Sequence, residues 1–406
     1  MKLQKLHIKN FKSIVDLEIV EPNPFTVFVG PNGSGKSNIF EALEFASLMS
    51  LEDDFDAQLK TVNQFGGLDK FLNRKHANAP TIVLHQFDKD KGIMFMCTPK
   101  DEQIIEIIKN SIKQTEQEQK TINELLKSLA EEKGKKFSDE WLHSTRLQRV
   151  NKLLSSKYDS LSFLVPVNQK VIASFEENSN TINLSSIVKE FGQAVQLPEF
   201  EQFVDFFGRI FVGSRIGDRT KYSNYLRSDA SNLAKVLGRI FKDNIRKEEI
   251  IEWLSLFVPE FEKIEYLKNP ISRKYEIQIF EKNSEQPFET SFISDGTYNI
   301  LALLTAVYQS DKPQFLCIEE PENGLNPYVI RKLVDFFRAA CEEKGHYIWL
   351  NTHSNALVEC LTPEEVIVVD KIGGETTIKQ IKGMDLHGLN MAEVWLSGAL
   401  GGGTPW

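Results

Sequence analysis

Cysteine is scarce. The four in 406 residues, Cys97, Cys317, Cys341 and Cys360, are widely spaced and form no Cys-x-x-Cys pair. Neither a structural zinc site nor a dithiol redox centre is therefore expected, and the thiols read as small buried side chains. Long apolar runs are missing as well. The strongest, Tyr298 to Val307, falls far short of the roughly 20 residues that a membrane-spanning helix needs. With no apolar leader at the start, no membrane contact is expected and the cytoplasm is the expected compartment. Positive charge is in deficit: 48 Lys and Arg against 57 Asp and Glu leave a net charge of −9. That balance excludes a protein that coats nucleic acid over its whole surface and confines any such contact to a local patch. The remainder, 41% hydrophobic and 26% charged, is ordinary for a folded chain of two or three lobes.

The densest positive signal is Gly30-Pro31-Asn32-Gly33-Ser34-Gly35-Lys36-Ser37, a full match to G-x-x-x-x-G-K-[ST]. Glycines let successive backbone N–H groups point at one anion, the lysine supplies a mobile cation for β- and γ-phosphates, and the hydroxyl suits Mg²⁺. The context agrees with a strand–loop–helix unit. Phe25-Thr-Val-Phe-Val29 is a short β-branched and aromatic run, and Ile39, Leu43, Phe45 and Ala46 follow at near-helical spacing. Candidate nucleotide contacts are Asn32, Gly33, Ser34, Gly35, Lys36, Ser37 and Asn38, with ATP as the expected ligand, Mg²⁺ as the expected ion and Ser37 as one of its ligands.

Upstream, Leu6/Ile8 and Leu17/Ile19 alternate as strands around a turn at Asn10-Phe11-Lys12-Ser13. Downstream, Gln64-Phe65-Gly66-Gly67 precedes a strand-like Thr81–Phe87 run. Residues 101–158 are dense in Glu, Lys and Gln with apolar residues at helical spacing, which predicts a short helical insertion turning near Gly134. Between Arg209 and Lys247 ten Lys and Arg meet three Asp, so this segment, with Arg215 and Arg219, is the candidate nucleic-acid contact. A hairpin then leads to Ser294-Asp295-Gly296-Thr297 at the start of an apolar helix, where a hydroxyl and backbone N–H groups make a second anion-binding edge. Phe315-Leu-Cys-Ile318 reads as a buried parallel strand ending in Glu319-Glu320-Pro321-Glu322. Two carboxylates at a strand end beside a phosphate loop suit metal and water chemistry. Another core strand, Tyr347–Leu350, ends in Asn351-Thr352-His353-Ser354.

Taken together, the Asn-Phe-Lys-Ser turn, the phosphate loop, Ser294-Asp-Gly, Glu-Glu-Pro-Glu and Asn323-Gly-Leu-Asn-Pro327 resemble the head domain of SMC, RecF and related ABC-type ATPases. The resemblance covers about 1–50 and 290–370. It implies an α/β fold, an ABC-type P-loop head with a mixed sheet flanked by helices. The chain then divides into an N-terminal part of the head (1–100), the helical insertion (101–158), a middle α/β lobe (159–290) and a C-terminal part of the head (291–406). By the same resemblance Lys12 is a second cation near the phosphates, and Ser294 and Gly296 form the signature that caps a nucleotide. Glu319 holds hydrated Mg²⁺, Glu320 orients the attacking water and His353 meets the γ-phosphate. A loop glutamine near the metal is expected; Gln64 is the candidate and Gln86 a rival. The signature lacks the usual second glycine and the Gln or Glu that follows it. One copy of each motif implies a homodimer with two ATP at its interface. The resemblance extends to small RecF-type ATPases of bacterial anti-phage defence. On that reading the chain is a sensor or regulatory switch for a separate effector such as a Toprim-type or other nuclease. The alternative is a RecF-like DNA-repair clamp.

Overall fold

A computed structural model describes residues 3–50, three strands between residues 81 and 167, Phe206, and residues 225–401 apart from 228, 269–274, 283, 285 and 290–291. The expected helical insertion, most of the middle lobe and the extreme C-terminus lie outside the described residues.

The centre is a five-stranded sheet of order β10-β11-β3-β12-β13, built from β3 (Phe25–Val29), β10 (Phe315–Glu319), β11 (Tyr347–Thr352), β12 (Val366–Ile372) and β13 (Glu375–Gln380). The first four run parallel and β13 returns antiparallel, so the sheet is mixed. A parallel sheet buried on both faces needs strands apolar at nearly every position, and β3 and β11 are buried throughout. Their side chains divide by parity. Phe28, Phe315, Cys317, Tyr347, Trp349, Ile367 and Val369 enter one core with α1 (Lys36–Ser50). Val27, Leu316, Ile318, Ile348, Leu350, Val366 and Val368 enter the other.

The first core is closed by a second sheet of order β2-β1-β4-β5-β6, comprising β1 (Leu3–Phe11), β2 (Ile14–Val20), β4 (Thr81–Gln86), β5 (Lys91–Met96) and β6 (Val165–Val167). Phe206 plugs it edge-on against Phe315 and Tyr347, with ring centroids 5.8 and 5.7 Å away. The second core lies under α2 (Leu233–Ile240), α3 (Asn244–Phe257), α4 (Asp295–Tyr308), α5 (Pro327–Lys344) and α7 (Met391–Leu396), with the short α6 (Asn355–Val358) and a third sheet of β7 (Phe261–Lys268), β8 (Tyr275–Glu281) and β9 (Phe288–Glu289). The expected hairpin before the signature is this β8–β9 pair, with Ile279 opposite Phe288.

Helix ends follow local chemistry. Ser294 caps α4 by accepting from the Thr297 N–H, and Asn326 caps α5 by accepting from the Val329 N–H ahead of Pro327. Gly345 closes α5 with φ 67°, the left-handed stop that glycine adopts at no steric cost. The first hairpin is tighter than the sequence suggests: Phe11 pairs with Ile14, so only Lys12 and Ser13 form the turn.

Candidate active site

The phosphate loop joins β3 to α1 and is gripped from both ends of the chain. Gly33 and Gly35 have φ 79° and 102°, which L side chains rarely adopt. Crowding is as restrictive. A Cβ at Gly30 would lie 2.1 Å from the Val369 carbonyl oxygen, and one at Gly35 would lie 2.0 Å from Thr376 Oγ1 and 2.9 Å from Ser13 Oγ. The buried Thr376 hydroxyl donates to the Ser34 carbonyl at 2.9 Å and meets Ser13 Oγ at 2.6 Å. The Asn38 amide reaches the same Ser13 Oγ at 2.5 Å, and the Thr376 N–H donates to the Ser13 carbonyl at 2.8 Å. Thr376→Val keeps the shape but strands these partners. It is expected to cost about 1–3 kcal/mol and to weaken ATP binding, with Thr376→Ser restoring both. Thermal melting and nucleotide titration check this, and an unchanged Kd in the valine variant would remove the clamp.

Inside the loop, Lys36 is 7% exposed and donates to the Gly30 and Pro31 carbonyls at 2.6 and 3.0 Å. Burial lowers its pKa, against the opposing pull of the Glu320, Glu319 and Glu322 carboxylates. A cation facing three acids and tied to its own loop's carbonyls is poised for an anion that outcompetes those bonds. Ser34 Oγ is buried with no hydrogen-bond partner among the described residues, a second mark of a cradle built for a ligand. Asn32, Gly33 and Ser37 are exposed at the loop's mouth. Ser37 Oγ and the Glu319 carboxylate are hard oxygen donors of the kind that Mg²⁺ takes alongside phosphate oxygens.

The acids sit where β10 ends. Glu320 has φ 45°, a left-handed geometry that costs a non-glycine residue about 1–3 kcal/mol and persists only where surroundings enforce it. Asn351 at the end of β11 enforces it. Its carbonyl and its side-chain Oδ1 accept from the Glu320 N–H at 3.0 and 3.2 Å, and its Nδ2 donates to Glu319 Oε1 at 3.1 Å. Glu320 Oε1 lies 2.9 Å from His353 Nδ1, and Glu320 Oε2 accepts from Asn323 Nδ2 at 3.2 Å. The strained backbone aims the carboxylate at the histidine instead of along the strand. Glu322 is buried; desolvation pushes its carboxyl above the usual carboxylate range, the Thr352 hydroxyl opposes that, and Glu320 adds to it.

The signature packs on this acidic loop. Gly296 lies so near Gly324 that a Cβ would meet its carbonyl oxygen at 2.7 Å, and Asn299 Nδ2 donates to the Pro321 and Asn323 carbonyls at 3.0 and 3.2 Å. Ser294 is exposed, so its edge faces outward.

The remaining candidates divide. Lys12 pairs with Glu41 on α1, beside the loop. Gln64 lies outside the described residues. The rival Gln86 pairs with Leu3, eight residues before the Phe11 turn. That is about 26 Å along the strand from the end that meets the phosphate loop, so Gln86 is not the metal-side glutamine. Arg215 and Arg219 also lie outside the described residues. Within the described part of the basic segment, Arg239 donates to the Gln309 carbonyl, Arg246 pairs with Asp243 and Asp311, and Lys247 lies over Phe241. Asn351, Thr352, Asn299 and Thr376 escaped the sequence reading. Only the position of Asn351 and Thr352 beside His353 could have pointed to two of them.

The central sheet, phosphate loop, paired acids and outward signature define an ABC-type P-loop ATPase head. The chain belongs to the family described as "AAA domain, putative AbiEii toxin, Type IV TA system", whose model matches residues 25–359; Ser13 and Thr376 of the loop clamp lie on either side of that span. An ATP/GTP phosphatase of Helicobacter pylori is 20% identical over 380 residues, 88% of this chain and 87% of that protein. The chromosome partition protein Smc of Methanocaldococcus jannaschii is 40% identical over 83 residues, 20% of this chain but only 7% of its own length. A RecF replication and repair protein of Acaryochloris marina is 43% identical over 49 residues, 12% and 13% of the two chains. Among solved structures, an Smc head bound to the C-terminal winged-helix domain of ScpA superposes with a TM-score of 0.52 at 14% identity, covering 93% of this chain and 98% of that one. That likeness establishes the fold. Among the described residues no helix is long and apolar enough to cross a membrane.

Proposed function

We propose that two copies of this chain close around two ATP molecules and that hydrolysis reopens them, making the chain a switch for a separate effector in anti-phage defence. The observation that carries the reading is the set Glu319, Glu320, Asn351 and His353, fixed around one point while Lys36 faces the same carboxylates. ATP supplies the phosphoryl group; Ser37 and Glu319 are the residues that would hold Mg²⁺, which would offset the phosphate charge. Lys36 leaves the Gly30 and Pro31 carbonyls for the phosphates. Glu320 accepts a hydrogen bond from the attacking water, and His353 turns from Glu320 to the γ-phosphate. Ser294 and Gly296 present their N–H groups to the partner protomer's nucleotide, as the exposure of Ser294 allows. Because Asn299 and Gly296 bind the signature to the loop after Glu320, capping one nucleotide moves the acids that act on the other.

The family's description as "AAA domain, putative AbiEii toxin, Type IV TA system" supports the defence role, and a nuclease is the effector class we propose. Phage challenge of cells carrying the chain with its neighbouring genes tests this. Protection is expected, and Lys36→Ala is expected to abolish it; equal plaque numbers with and without the genes would remove the defence role. Charge reversal at Arg215 and Arg219 together is expected to abolish salt-sensitive DNA or RNA binding, and unchanged affinity would eliminate that segment as the nucleic-acid contact.

A further inference from the structure

We propose that Glu322, the third acid of Glu-Glu-Pro-Glu, is a positioning residue that holds the His353 loop in register with the acids. The inference rests on the reading of His353 as the group that meets the γ-phosphate. Glu322 is 7% exposed and Thr352 fully buried. The Thr352 hydroxyl donates to Glu322 Oε1, and its own oxygen, Thr352 Oγ1, accepts from the Ser354 N–H at 2.9 Å. Thr352 is thereby tied to the carboxylate directly and Ser354, on the other side of His353, through the Thr352 hydroxyl. That carboxylate has a fixed base: Asn299 holds the Pro321 and Asn323 carbonyls, and Asn351 holds the Glu320 N–H. The geometry explains why a second tie is needed. The pair between His353 and Glu320 has to open when the imidazole turns to phosphate, and the Glu322–Thr352 bond then remains to hold the histidine loop. Glu322 Oε2 is buried and has no hydrogen-bond partner among the described residues. The Thr352 hydroxyl is therefore the side-chain hydrogen-bond partner of this carboxylate among the described residues.

Epistasis with His353 is the test. Glu322→Ala and Thr352→Val are each expected to lower kcat by about 10²-fold at unchanged ATP Kd. Glu322→Gln and Thr352→Ser, which keep the bond, should retain most of the activity. In a His353→Ala background neither Glu322→Ala nor Thr352→Val should cause further loss, because both act through the missing imidazole. Equal losses with and without His353 would overturn the proposal, as would a Glu322→Gln variant as slow as Glu322→Ala. Should Glu322→Ala fail to fold, Thr352→Val gives the same comparison from the other end of the bond. If His353→Ala alone turns over ATP like the parent, the phosphate-facing role falls and this inference with it. A slow His353→Ala with additive Glu322→Ala refutes the inference only.

Discussion

Glu320→Gln is expected to bind ATP as the parent does and to hydrolyse it about 10²–10⁴-fold more slowly, while Lys36→Ala is expected to lose nucleotide binding altogether. The two side chains act at different stages. On the proposed roles, Lys36 would neutralise phosphate charge in the ground state and transition state alike, whereas Glu320 would matter chiefly once water attacks. Removing Lys36 also leaves Glu319, Glu320 and Glu322, all three of which act electrostatically on it, without the cation that offsets them where a polyanion must enter. Glutamine at 320 keeps the side-chain shape and the backbone N–H that Asn351 holds, so the backbone geometry survives while the charge and one of the two acceptors facing His353 and Asn323 are lost. Nucleotide titration and steady-state phosphate release separate the two effects. Stalled turnover in Glu319→Gln with normal turnover in Glu320→Gln would reverse the roles assigned to the acids.

Ser294→Arg is expected to abolish ATP-dependent dimerisation while leaving the chain folded. Ser294 is exposed and its hydroxyl caps α4 through the Thr297 N–H at 3.1 Å, so the substitution costs the chain about 1 kcal/mol of capping. Its larger expected effect is on the partner, because in the proposed dimer a long cation would occupy the γ-phosphate site that Ser294-Asp-Gly caps. Mixing Ser294→Arg with Lys36→Ala protein sharpens the test. One composite interface pairs an intact phosphate loop with an intact signature and the other carries both defects, so a weak heterodimer should form with Mg-ATP. If Ser294→Arg alone dimerises and hydrolyses ATP like the parent, Ser294-Asp-Gly-Thr297 is a helix cap and nothing more.

What could be read in advance was what short-range pattern encodes. Phe25–Val29, broken only by Thr26, and Phe315–Ile318 and Tyr347–Leu350 are near-continuous apolar runs because both faces of their sheet are covered, and the phosphate loop is contiguous, so strands and loop were legible together. The clamp was not. Ser13, Ser34 and Thr376 meet through hydrogen bonds spanning 342 and 363 residues, and no periodicity marks such a pairing. Nor does any local signal give Glu320 a left-handed backbone, since that conformation is imposed by Asn351 from a neighbouring strand. The close approach of Gly296 to Gly324 likewise explains a signature glycine by a contact that its own motif does not contain. Gln86 failed as a rival for a related reason: antiparallel register, which residue type does not reveal, carries it to the far end of β1.

Sedimentation velocity of the Glu320→Gln protein with Mg-ATP and with Mg-ADP tests the central claim most directly, because on the proposed mechanism this variant would hold the γ-phosphate that bridges two protomers. The account requires a dimer with ATP and a monomer with ADP. The same species in both nucleotides would contradict an ATP-closed pair of heads.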